Sequence, residues 1–236
     1  MQPNPQQMIY FPRFSPNHNE RPFVPVELIV LHYTGMQTSD AALEWLCNPA
    51  SGVSAHYFVE EDGTIFQLVE EDRRAWHAGV AHWRGATNIN DISIGIEIAN
   101  CGHEWGYTPF PAAQITAVKK LCADIMHRHE LPAYSVVGHS DVAPTRKQDP
   151  GELFPWQELA EYGIGIWHDV AKHNSSTPAK LNASLLQQFG YEVVAGDAVK
   201  LKAVVTAFQR HFRPHKLSGE WDIECEQILQ SLLQIK

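Results

Sequence analysis

The segment Gly138–Gly151 reads GHSDVAPTRKQDPG and gathers His139, Lys147 and Asp149 among glycines and prolines. A second histidine, His32, ends the apolar run LIVL at 28–31, on the same strand face as Leu28 and Val30. Together His32, His139 and Asp149 make an N, N, O donor set. Catalytic zinc commonly takes three such ligands and keeps a fourth position for water, whose pKa falls to about 7. Two neutral nitrogens and one anion leave a single bound Zn2+ with net positive charge, which is what activating a water requires. The competing reading of the loop is a solvated surface segment with an ordinary Lys/Asp pair.

Two further residues bear on this choice. The residue before a proline favours an extended backbone, and residues i and i+2 of an extended segment share a face. If Asp149 ligates a metal, Lys147 faces the same pocket, where its ammonium can stabilise an oxyanion. Glu97 lies on the alternating run SIGIEIAN at 93–100, opposite Ile94, Ile96 and Ile98 and beside Ser93 and Gly95. It either lines a cleft, as general base for a water and proton donor to a leaving amine, or is an exposed strand glutamate. The chain has 13 histidines, so position rather than mere presence must carry the argument. His127 and His129 do not share a helix face, and His56 suits a pocket or a core. There is no GxSxG, HExxH, phosphate loop or dinucleotide fingerprint.

The elements that must position these groups can be read in order. Residues 1–25, rich in Pro, Gln and Asn, read as an irregular arm packed by Tyr10, Phe11 and Phe14. VELIVLHYTG at 26–35 reads as a buried strand, SDAALEWLCN at 39–48 as a capped helix, and SAHYFVEEDGTIFQLV at 54–69 as a hairpin around EDG. Residues 111–132 form the strongest helix pattern, with Ile115, Val118, Cys122, Ile125 and Met126 as its stripe and prolines at both ends. A short strand at 134–141 leads into the reactive loop, and PWQELAEYG at 155–163 reads as a helix. This predicts an α/β catalytic domain over 26–167, with a mixed central β-sheet flanked by helices. A linker follows at 168–180, and a small three-helix domain occupies 181–236.

Composition narrows the function class. The 236 residues are 44% hydrophobic and 19% charged, ordinary for a globular protein. A net charge of −9 and the lack of a basic stripe argue against nucleic acid as a partner. No apolar run is long enough to span a membrane. Cys47, Cys101, Cys122 and Cys225 match neither a zinc ribbon nor a redox pair. Oligomeric state is not legible.

The ordered series VLHYTG, SAHYFVEEDGTIFQLV, WHAG, RGATNIND, SIGIEIAN and GHSDVAPTRKQDPG resembles the zinc-dependent N-acetylmuramoyl-L-alanine amidases of the amidase-2 family, whose fold peptidoglycan recognition proteins share. The resemblance covers residues 26 to about 165. The segment AFQRHFRPHKLSGEWD resembles a three-helix peptidoglycan-binding module often joined to such enzymes. The resemblance implies one Zn2+ on His32, His139 and Asp149, Glu97 as catalytic acid/base and Lys147 assisting at the carbonyl. It also implies a peptidoglycan or muropeptide substrate, in free or 1,6-anhydro form, within cell-wall turnover or recycling. Where many relatives carry a tyrosine before the hairpin histidine this chain has Ala55, which places more weight on Glu97. Trp76, His77, Arg84 and Asn90 are loop candidates for substrate contact, with loop bracing as their alternative role. The rival function is a recognition protein that holds muropeptide without cutting it. The bacterial envelope is the expected location if a leader was trimmed. The cytoplasm is the alternative, because no export signal is written.

Overall fold

Three parallel strands that end within one residue of His32, Glu97 and His139 form the centre of the molecule. The computed structural model describes residues 10–169 and 183–235. In chain order the first strands are β1 (Phe11–Pro12), β2 (His18–Glu20) and β3 (Leu28–Tyr33). Helix α1 (Ser39–Leu46) precedes β4 (Tyr57–Val59), β5 (Ile65–Gln67), β6 (Arg73–Ala75) and β7 (Ser93–Ile98). Then come α2 (Gly102–Trp105), α3 (Ala112–Arg128), β8 (Val136–Gly138), α4 (His139–Val142) and α5 (Trp156–Glu161). The C-terminal region adds α6 (Ala183–Phe189), α7 (Ala198–Phe212) and α8 (Ile223–Leu232).

The main sheet runs β1-β5-β4-β7-β3-β8. β3 pairs in parallel with both β7 and β8, β7 pairs in parallel with β4, and β4–β5 is the expected antiparallel hairpin. Central parallel strands are covered on both faces, which is why LIVLHY is apolar on both sides until its last two residues. One face, with Ile29, Leu31, Ile94, Ile96 and Ile98, packs on Ile115, Val118, Leu121, Cys122 and Ile125 of α3. Each such side chain contributes about 1.5–3 kcal/mol by leaving water. Met126, expected in that stripe, is only partly buried. α3 stops where Glu130 takes a positive φ of 54°, just before Pro132.

From residue 10 onward the arm is more ordered than its composition suggests. β1 pairs with β5, β2 pairs with β6, Tyr10 packs on Tyr57, and Phe14 stays exposed. The three C-terminal helices form as expected, each of the last two capped by an aspartate, Asp197 or Asp222. They do not stand apart from the sheet. Leu28, Val30, Trp83 and Val137 share one continuous apolar cluster with Phe189, Tyr191, Phe208, Phe212 and Leu229. Most of the expected linker lies outside the described residues.

Candidate active site

In register, His32 on β3 lies directly beside Glu97 on β7. β8 ends one strand further at Gly138, and His139 begins α4 there. All these residues sit at the carboxyl ends of parallel strands, where open α/β sheets present their crevice. The backbone N–H of Ser140 donates to the Asp149 carbonyl at 2.8 Å and closes the loop between them. Gly138 must be glycine, since a Cβ there would meet Pro150 Cδ at 2.9 Å.

The loop closure brings His32, His139 and Asp149 together as a buried group able to hold a metal ion. The two Nδ1 atoms lie 2.8 Å apart, and each is 3.0 Å from Asp149 Oδ2. Their outer hydrogen bonds fix where the ring protons are. His139 Nε2 has the Ala78 carbonyl at 3.1 Å and must donate to it, leaving Nδ1 as a lone pair. Ser93 Oγ–H donates to the Ile89 carbonyl at 2.6 Å, so Ser93 Oγ accepts from His77 Nε2–H at 3.2 Å. His77 Nδ1 then accepts from His32 Nε2–H at 3.1 Å, and His32 Nδ1 is also a lone pair. Three acceptor atoms therefore converge with no proton among them, the arrangement that a cation completes. Two nitrogens and one carboxylate oxygen fit zinc. Outer partners that orient the ligating imidazoles are a regular part of such sites.

Electrostatics favour neutral His32 and His77 rings beside the Asp149 anion. Burial, then the nearby His139, pushes His32 down to about 4. Burial and the neighbouring histidines hold His77 well below its ordinary range. Burial pushes Asp149 up, but His139 and His32 outweigh it and hold the carboxyl below the usual carboxylate range. Glu97 is driven the other way: burial, then the Asp149 charge, raises it well above the ordinary glutamate value, against an opposing pull from Lys147. Its Oε2 is out of solvent and meets no hydrogen-bond partner among the described residues.

These groups open on a cleft of about 420 Å³, lined by His32, Glu97, His139, Lys147 and Asp149 and walled by Trp45, Trp76, Met36 and Val53. Trp76 and His77 face the cleft, His77 also bracing His32 from behind. Arg84 and Asn90, the other expected loop contacts, are not among its lining residues. Arg84 donates to the Phe189 carbonyl at 3.2 Å and lies over the Tyr134 ring, against the C-terminal helices. Asn90 is buried, and its Oδ1 accepts from the N–H groups of His77 and Ala78. Both are braces, because a polar loop composition does not encode which side of the loop faces a cavity. His56 is a core histidine whose Nδ1 accepts from Gly95 N–H at 2.9 Å.

Sequence reasoning missed Ser93 as the end of the proton chain, although it shares a strand face with Glu97. It also missed His103 and Arg146 on the cleft, for which no periodic signal exists. Gly95 has a role of its own: a Cβ there would meet His77 Cγ at 2.4 Å, so only glycine leaves the ring its place.

A mixed sheet with a His–His–carboxylate group at its carboxyl edge, beside a buried glutamate and a lysine, defines the class of metal-dependent hydrolases. The particular family follows from comparison. Residues 22–152 match the Amidase_2 family, N-acetylmuramoyl-L-alanine amidase, and the chain belongs to that family. It is 40% identical over 232 residues to the N-acetylmuramoyl-L-alanine amidase AmiD of Escherichia coli, covering 89% of this chain and 83% of that protein. It is 42% identical over 104 residues to E. coli AmpD, a 1,6-anhydro-N-acetylmuramyl-L-alanine amidase, over 44% of this chain and 55% of that one. The structure of E. coli AmiD with anhydro-N-acetylmuramic acid-L-Ala-D-gamma-Glu-L-Lys superposes with a TM-score of 0.80 at 39% identity, covering 94% of this chain and 92% of that one. AmpDh3 of Pseudomonas aeruginosa with anhydromuramic pentapeptide gives 0.79 at 35%, covering 93% and 94%.

Proposed function

We propose that this chain hydrolyses the amide between the lactyl carbonyl of N-acetylmuramic acid, including its 1,6-anhydro form, and L-alanine of the stem peptide. The observation that carries the reading is the convergence of three proton-free acceptor atoms on His32, His139 and Asp149 beside Glu97. When bound there, one zinc ion supplies Lewis acidity to a water and to the scissile carbonyl. Glu97 takes a proton from the attacking water and passes it to the alanine nitrogen as the C–N bond breaks. Its raised pKa suits it to keep that proton between the two transfers. Lys147, exposed at the cleft, brings its ammonium to the carbonyl oxygen as negative charge develops. Trp45 and Trp76 offer apolar walls to the sugar or the peptide. This reading places the activity at the bacterial cell envelope, where peptidoglycan lies. No helix of the described residues is long and apolar enough to cross a membrane.

The test is incubation of metal-loaded protein with anhydromuropeptide, followed by mass spectrometry for free stem peptide, with and without chelator. Release that stops on chelation and returns with zinc is expected. Tight muropeptide binding without release would instead restore the recognition-protein reading.

A further inference from the structure

Asp141 lies two residues after His139, on the single turn of α4. It is buried, and its carboxylate is satisfied from several directions. Gly138 N–H donates to Oδ2 at 2.7 Å, Tyr191 O–H to Oδ1 at 2.7 Å, and His211 Nδ1–H to Oδ2 at 2.7 Å. The last two donors come from the C-terminal helical region. His211 is itself held, its ring stacked on Trp156 with centroids 3.8 Å apart. The preceding residue of α7, Arg210, reaches Glu152 Oε2 at 3.4 Å. Asp141 and Glu152 stand on either side of the segment that carries Lys147 and Asp149. The last turn of α7 thus grips the reactive loop at both ends.

We propose that the C-terminal helical region clamps the metal-ligand loop. Tyr191 and His211 are positioning residues that fix Asp141, and through it the turn that aims His139. This rests on the metal-site reading above. The physical reason is local: a buried carboxylate stripped of a donor is costly, and the cheapest relief is for α4 to open toward water. That opening carries His139 away from His32 and Asp149 while the sheet stays folded. The helical region therefore serves the chemistry directly, whatever it does at the wall.

The test uses the full chain with two readouts. In metal-free protein, amide exchange is followed at Gly138 and Ser140 on the loop, with Ile96 on β7 reporting global stability. Affinity for Co2+ alone is measured separately. His211→Leu is expected to speed loop exchange selectively and to weaken Co2+ binding by about tenfold or more. His211→Asn, whose amide can donate from the place of Nδ1, is expected to restore both. Tyr191→Phe, which removes one hydroxyl, should shift both in the same direction by less. Loop amides that change no more than Ile96, or Co2+ affinity within about twofold of wild type in His211→Leu, would overturn the clamp. A wild-type chain that binds no Co2+ would sink the metal reading instead, and the exchange pattern alone would then decide the clamp.

Discussion

Two polar loops of this molecule look alike in composition and differ in what their side chains do. The loop at 138–151 turns His139, Lys147 and Asp149 into the cleft. The loop at 83–91 turns Arg84 onto a carbonyl and Tyr134, and Asn90 onto two backbone N–H groups. The difference is one of proton count. Asn90 Oδ1 meets as many donors as it has lone pairs and is finished as a scaffold. His32, His139 and Asp149 put three acceptors together with no donor between them, a group that is unfinished without a cation. Asn90, its oxygen fully partnered, builds the fold, and the converging acceptors of His32, His139 and Asp149 mark the site.

The contrast can be broken most strongly at Asp149. Asp149→Ala should abolish tight zinc binding and bring amidase activity to background while the fold persists, as metal analysis and circular dichroism would show. Glu97→Gln should keep the metal and cut kcat by about 10²–10⁴, because it keeps the shape but removes the base. Unchanged kcat would remove Glu97 from the chemistry.

A third test reads the unfinished state itself. His32 is held down to about 4 against an ordinary 6.5, so the unfolded chain binds more protons between those values. Metal-free protein should therefore lose about 3 kcal/mol from this group as pH falls from roughly 6.5 to 4, read by urea unfolding at each pH. Smaller effects belong to the finished loop. Asn90→Ala should cost about 1–3 kcal/mol of stability by stripping two buried N–H groups of their acceptor. Its loss of kcat/KM should be far smaller than that of Glu97→Gln. Arg84→Met should stay within about 1 kcal/mol and leave KM unchanged, since Arg84 serves the C-terminal interface rather than the substrate. A large KM effect there would return Arg84 to the binding surface.

What could be read from sequence follows the same divide. His32 and Glu97 were legible because a strand alternates with period two, and apolar neighbours reveal which face is which. The α3 stripe was legible for the analogous helical reason, apart from Met126. Arg84 and Asn90 were not, because loops carry no period and their facing is decided by distant partners such as Phe189 and His77. The Ser93–His77–His32 chain joins three segments and exists only after folding. The stripes of α6 to α8 announced a buried face, but not that it would join Leu28 and Val30 under the site.

The in-register pairing of His32 with Glu97 has a consequence for how this enzyme can change. Neighbouring strands lie about 4.8 Å apart because the peptide group sets that spacing, not the side chains. The proposed ligand His32 and the proposed proton carrier Glu97 thus stand on adjacent marks of a ruler that every sheet shares. Loops around the cleft can be lengthened, shortened or repainted to suit another sugar or peptide without moving those marks. Substrate preference is open to drift here, while the chemical step is pinned to the most uniform dimension the backbone has.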